Sequence, residues 1–208
     1  MLVPPAVNRL YFWALQVGFS DGAVGYGGAH TGLQWHSRRR SGRAVNWGGY
    51  HDPGAGGGEL DGSRPTTLHA LNPQGNTARY SWKPEEPYGF AVRRSESGWR
   101  ATVTEISSGE ETVIRDLYAG GTYLVSPVVW SEVFAGCDDP SVTVRWTGLE
   151  AVSASGHVLR PLAATVTYQA PAAGGCANTN VAADDVGLLQ ITNTTRRVSD
   201  GAIVDVPG

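Results

Sequence analysis

Between residues 76 and 150 apolar and polar positions alternate with a period of two, the mark of strands with one buried face. Ala78, Tyr80 and Trp82 alternate with polar partners, and the KPEEP segment then ends the run, because proline has no N–H to give to a central ladder. Tyr88, Phe90 and Val92 follow the same rhythm, SESG supplies a turn, and Trp99, Ala101 and Val103 carry it back, which predicts a hairpin. Further strands are predicted over Tyr123–Phe134 and over Val142–Leu149, the latter with Val142, Val144 and Trp146 on one face. Residues 108–119 (SGEETVIRDLYA) fit two patterns. Ser108 and Glu111 have capping-box spacing ahead of a helical stripe, while ETVIRDLY reads as a β-branched strand, which its shortness favours. After residue 160 the texture loosens, with candidate strands at Leu162–Tyr168 and Gly187–Asn193 separated by the loop QAPAAGGCANTN.

The densest segment is residues 10–52. It gathers aromatic residues and a glycine-rich run around Tyr26, sets Arg38, Arg39 and Arg40 at a hairpin tip, and closes on Trp47, Tyr50, His51 and Asp52. Residues 52–75 form a long glycine-rich segment of the kind that is usually functional when it lies inside a compact domain. The composition agrees with strands: of 208 residues, 28 are glycine and 12 proline, which favours short strands and tight turns over long helices. The fold class expected is all-β, a two-sheet antiparallel sandwich over residues 1–160 with a C-terminal extension over 161–208.

A net charge of −3 argues against a general nucleic-acid binder, and no apolar run approaches the roughly 20 residues of a spanning helix. The N-terminus lacks the charged-then-apolar pattern of a signal peptide, so Met1 either follows a removed signal or belongs to a chain that does not use that export route. Cys137 and Cys176 are the only cysteines, each in a glycine-flanked loop. Two lone cysteines in a loop-rich β protein suggest one disulfide and an extracellular or cell-surface location, with two unpaired thiols as the alternative. Such a bridge would tie the extension to the sandwich.

The segments YFWALQ, GFSDGAVGYGG, TGLQW, AVNWGGY, NTARYSW and LVSPVVWSEVF together resemble an uncharacterised family of secreted bacterial β-sandwich domains. The resemblance runs over about residues 8–151 and is carried by Tyr11–Trp13, Gly25–Gln34 and Arg79–Trp82. It implies a jelly-roll or concanavalin-like architecture and an extracellular, carbohydrate-related setting. It brings no catalytic residues with it.

Aromatic residues on a sandwich surface suit sugars, whose apolar faces stack on rings while neighbouring polar groups meet the hydroxyls. Trp35, Trp47 and Tyr50 are the candidate platforms and His51 and Asp52 the candidate hydroxyl partners, against the competing role of filling the core. Gly48 and Gly49 would let a ligand approach the backbone. Arg38, Arg39, Arg40 and Arg43 around Ser41–Gly42 could hold an anionic polymer, or could serve only as a solvated turn. Asp138, Asp139, Asp184 and Asp185 flank the two cysteines and could hold a structural Ca²⁺ if a disulfide joined them, though no Ca²⁺-loop spacing supports it.

An enzymatic reading draws on His30, His36, His51, His69 or His157 with Asp52, Glu105 or Glu132. Glu132, or the pair His51 and Asp52, is the best candidate. G-x-S-x-G, H-E-x-x-H and Walker-type sequences are absent. The sequence therefore points first to a non-catalytic extracellular module that binds a glycan or cell-envelope polysaccharide. The alternatives are a polysaccharide-cleaving enzyme on the same scaffold, or a subunit of an extracellular assembly, toxin or phage-type particle with a protein partner.

Overall fold

The computed structural model describes residues 9–36, 42–52 and 57–207. These residues form β structure almost throughout, with several antiparallel sheets and no α-helix among them. The chain divides into two compact units, one spanning Asn8–Phe134 and the other Ala135–Gly208. The boundary expected at residue 160 thus falls 26 residues earlier, between Phe134 and Ala135.

The first unit holds eight strands: β1 (Tyr11–Ser20), β2 (Gly25–Trp35), β3 (Arg43–Tyr50), β4 (Thr77–Arg79), β5 (Tyr88–Ser95), β6 (Gly98–Glu105), β7 (Glu110–Leu117) and β8 (Tyr123–Val133). They make a five-stranded sheet in the order β4-β3-β2-β1-β8 and a three-stranded sheet in the order β5-β6-β7. The ambiguous segment is β7, a strand paired along its length with β6. Its β-branched side chains pack on a pleated, half-buried surface, and it has no long apolar stripe to stabilise a helix. The strand expected from Ala78 to Trp82 is shorter than its pattern suggests: β4 stops at Arg79.

Side chains alternate across a strand, so each strand of the large sheet has two distinct faces. On β1 the odd positions Tyr11, Trp13, Val17 and Phe19 are buried. Trp99, Ala101, Val103 and Leu117 of the smaller sheet are buried as well, as are Trp47 and Trp82, both 0% exposed. The Phe19 ring stacks on Trp99 (5.3 Å between centroids, 17° between planes) and meets Trp47 edge-on at 6.2 Å. Three indole N–H groups of the core find backbone carbonyls, while the buried Trp35 Nε1 finds none among the described residues. Trp47 Nε1 donates to the Trp99 carbonyl oxygen (3.1 Å), Trp99 Nε1 to that of Gly120 (2.9 Å) and Trp82 Nε1 to that of Gln34 (3.0 Å).

The second unit contains β9 (Thr143–Trp146), β10 (Ala151–Val152), β11 (Val158–Leu159), β12 (Ala163–Thr165), β13 (Asn180–Ala183), β14 (Leu188–Ile191) and β15 (Ile203–Asp205). They pair as β13-β14-β9, β10-β11 and β12-β15. Cys137 and Cys176 are bonded, with 39 residues of sequence separation. Both lie in this unit, so the bridge closes a loop within it and does not tie it to the first. Arg196 works beside the bridge. Its Nη2 donates to the Cys176 carbonyl oxygen (2.7 Å), its Nε to that of Thr179 (3.1 Å), and its guanidinium covers the Tyr168 ring at 3.8 Å.

Two outcomes follow from this packing. Trp47→Ala is expected to destabilise the first unit by about 3–5 kcal/mol, and Trp47→Phe by about 1–2 kcal/mol through the lost N–H donor, both read from urea denaturation. Replacing both cysteines by serine is expected to lower the stability of the second unit by about 4 kcal/mol, the loop-closure entropy of a ring of that length, measured by hydrogen exchange of its strands.

Candidate functional site

The face of the large sheet opposite the core carries a groove of about 360 Å³, lined by residues of β1, β2, β3 and β8 and by Leu10 just before β1. Register explains its composition. Phe12 lies opposite Gln34 on one side and Glu132 on the other, and Gln16 lies opposite His30. Ala14 stands between Gly32 and Trp130, and Gly28 is opposite Tyr50. Pleating therefore puts two carboxamides, an imidazole, a carboxyl group and three aromatic rings on one surface.

Phe12, His30 and Trp130 form the fixed part of this surface. Their rings meet edge to face in all three pairings, at 5.4 Å for Phe12 and His30, 5.0 Å for Phe12 and Trp130, and 5.5 Å for His30 and Trp130. Trp130 Nε1 donates to Gln16 Oε1 at 3.1 Å, which orients the Gln16 amide so that its nitrogen remains a donor. Tyr50 closes one end of the groove and is 41% exposed.

The electrostatics are those of a surface that disfavours charge. Burial against the two rings holds His30 neutral, its pKa pulled from 6.5 down to about 4. Glu132 remains open to solvent, yet the wall beside it removes enough water to push its carboxyl pKa up from the usual value. No cation lies within ion-pair distance of it among the described residues.

The residues singled out in the sequence are distributed differently from expectation. Trp47 is a core residue and offers no platform, because its odd-numbered register partner Thr31 belongs to the buried face. Trp35 is half-buried, packed edge-on against Trp82 (6.4 Å) and under the Gly42 backbone. Arg43 lies over the Trp82 and Trp35 rings, at 5.4 and 6.0 Å, so its charge is held by aromatic faces. Arg38, Arg39 and Arg40 lie outside the described residues. Tyr50 lines the groove, but His51 and Asp52 lie past the end of β3, exposed, with their backbones bonded to Gly58 and Gly57.

Gly48 and Gly49 serve packing rather than ligand approach. A Cβ at Gly49 would come within 2.1 Å of the Gly28 carbonyl oxygen, and one at Gly48 within 2.9 Å of Asn76 Cβ. Among the acidic residues, Asp184 is engaged by Arg145 and by the Val186 and Gly187 N–H groups, which hold its pKa down to about 2. Asp139 accepts from the Gly136 N–H at 2.7 Å. No group of three or more metal-ligating side chains occurs among the described residues. Gln16, Gln34, Phe12 and Trp130 were not foreseen. The available signal was a glutamine inside each of two otherwise apolar strands, Gln16 in YFWALQVGF and Gln34 in TGLQW.

Comparison with known proteins adds little to this geometry. No family model matches the chain, and no curated protein does. Among solved structures it is similar to aspergilloglutamic peptidase from Aspergillus niger, at 16% identity over 89% of this chain and 99% of that one, with a TM-score of 0.49. A likeness of that depth carries no argument for a shared fold or activity.

Two pH dependences follow. His30 has a folded pKa below its unfolded one, so its contribution is complete above pH 6.5 and is lost as pH falls towards 4, by at most about 3 kcal/mol. His30→Gln is expected to flatten that acid limb in denaturation measured at pH 7, 5.5 and 4. Glu132 has the opposite sign. Its raised folded pKa stabilises the fold below pH 4.5 relative to higher pH, and that advantage is lost as pH rises through the folded value. Glu132→Gln is therefore expected to be more stable than the parent at pH 7 and equal to it at pH 4.

Proposed function

We propose that the chain is an extracellular, non-catalytic binding module that takes a glycan or cell-envelope polysaccharide into the groove on the open face of its large sheet. The observation that carries this reading is the row Gln34–Phe12–Glu132 with Gln16, Trp130 and Tyr50 beside it. Rings stack on the apolar faces of pyranoses, and carboxamides offer both a donor and an acceptor to hydroxyl pairs. A surface that keeps His30 neutral favours an uncharged polymer over a polyanion. The disulfide supports an extracellular home. A sandwich of jelly-roll or concanavalin-like type belongs to the same proposal, supported by two sheets that share a core and leave one broad face open.

A second reading, polysaccharide cleavage, is favoured by one observation. Glu132 has a raised pKa and no ion-pair partner among the described residues, the condition of a general acid. It ranks second because glycoside hydrolysis by the usual routes needs two facing carboxyl groups, and among the described residues Glu132 is the only one that lines the groove.

The test is an array of neutral plant, microbial and bacterial cell-wall glycans, with intrinsic tryptophan fluorescence to follow any hit. Tyr50→Ala and Trp130→Ala are each expected to weaken binding roughly tenfold, the worth of one stacked ring. The glycan should stay intact on long incubation. Shortened glycan whose production is abolished by Glu132→Gln would move the assignment to the second reading. Silence across the array would overturn both and leave a protein partner, as in a subunit of an extracellular assembly.

A further inference from the structure

The edge of the smaller sheet holds a feature that the groove does not explain. A bulge in the β6–β7 pairing, between Ala101 and Thr102, places Arg115 opposite Ala101 on the core-facing side of β7. Arg115 is 3% exposed. A guanidinium there has lost most of its water, and burial pulls its pKa below the ordinary arginine value. A charge in that position is normally matched by a carboxylate. Here no carboxylate lies within 4.0 Å of it among the described residues. Its Nη1 donates to the Gln74 carbonyl oxygen at 2.8 Å, and its buried Nε has no partner among the described residues.

The surrounding chain is shaped to keep this guanidinium where it is. Backbone from the segment before β4 runs beside β7, joined by Ser63 N–H to the Asp116 carbonyl oxygen (2.9 Å) and Tyr118 N–H to that of Asp61 (2.8 Å). A Cβ at Gly62 would strike Arg115 Nη2 at 2.1 Å, so only glycine lets the backbone lie against the guanidinium. Next to it opens a pocket of about 170 Å³, lined by Arg115, Arg64, Arg100, Ser63 and Thr66, with Asp116 at its wall. The Asp116 carboxylate is already taken: Arg100 Nε and Nη2 hold its two oxygens at 2.8 and 2.9 Å, and Ser97 Oγ adds a third contact at 3.2 Å. Three guanidiniums and one carboxylate line the pocket, with Glu59 and Asp61 acting on Arg115 from beyond its wall. Two hydroxyl groups stand beside the guanidiniums.

We propose that this pocket is a binding site for a tetrahedral oxyanion, phosphate or sulfate, free or as the ester group of a larger molecule, with Arg115 as its buried base and Arg64 at its rim. Guanidiniums meet such oxygens through paired N–H donors, and a desolvated one gains most from them. The site belongs to the smaller sheet and does not rest on the glycan reading of the groove.

The experiment is titration calorimetry of the whole chain with inorganic phosphate, inorganic sulfate and glucose 6-phosphate, at constant ionic strength set with chloride. Binding with a Kd on the order of 1 mM or tighter is expected. Arg64→Ala, at an exposed position, should weaken it about tenfold, and Arg115→Gln should abolish it. Arg93→Ala, whose charge pairs with Glu111 on the strand surface, should leave it unchanged. Equal affinity for inorganic phosphate and the sugar phosphate would identify a free ion as the ligand, and tighter binding of the ester a phosphorylated or sulfated molecule. Should Arg115→Gln fail to fold, Arg64→Ala decides alone. No heat from any of the three anions, or affinity unchanged in Arg64→Ala, would overturn the proposal.

Discussion

The contact between Phe19, Trp47 and Trp99 is what the first unit is organised around. Phe19 comes from the large sheet's second strand from the edge, Trp47 from its fourth, and Trp99 from the middle of the other sheet. Stacking and edge-on geometry between these rings set the separation of the layers. The indole N–H groups then fix the angular placement, since a buried donor without an acceptor costs more than the hydrogen bond itself contributes. Trp82 repeats the device one strand pair away, edge-on to Trp13 at 6.2 Å with its N–H on the Gln34 carbonyl oxygen. That last bond links core to groove, because it holds the backbone of the residue whose side chain lines the opposite face.

Burying one face of the large sheet this thoroughly determines the character of the other. With Tyr11, Trp13, Val17 and Phe19 committed to the core, the intervening positions Phe12, Ala14, Gln16 and Gly18 fall on the opposite face, where Phe12 and Ala14 are themselves covered by neighbouring side chains. Phe12 is the bridge between the two chemistries. It is 3% exposed, and its ring is covered by His30 and Trp130. The same cover withdraws water from His30 and crowds Glu132, which is why both titrate away from their ordinary values. The groove's polarity is thus carried by amides and one carboxyl group, a chemistry matched to hydroxyl-bearing ligands rather than to ions.

The second unit is held by a different balance. It has few fully buried large side chains, among them Val142, Val166 and Leu188, and its strands are two to four residues long. Short sheets with so little apolar burial gain from covalent closure, and the disulfide with Arg196 beside it performs that closure locally. Its location inside this unit also explains why the expected link between the two parts of the chain does not occur.

Period-two patterning determined the elements. Tyr88, Phe90 and Val92 against Trp99, Ala101 and Val103 specify a hairpin in any context, because an alternating sequence can satisfy only a strand with one dry face. It likewise pointed to a chain that is β almost throughout, while two lone cysteines in glycine-flanked loops suggested the bond that Cys137 and Cys176 make. Which face is dry was decided elsewhere. Trp47 and Trp130 both sit in apolar strands with similar neighbours, yet one fills the core and the other lines the groove. A one-residue change of register would exchange such roles, and register is set by partner strands far away in sequence. The groove joins residue 12 to residues 34 and 132, and the Arg115 pocket depends on a bulge opposite Ala101. Local sequence carries the period of a strand. Only pairing across the sheet carries its phase.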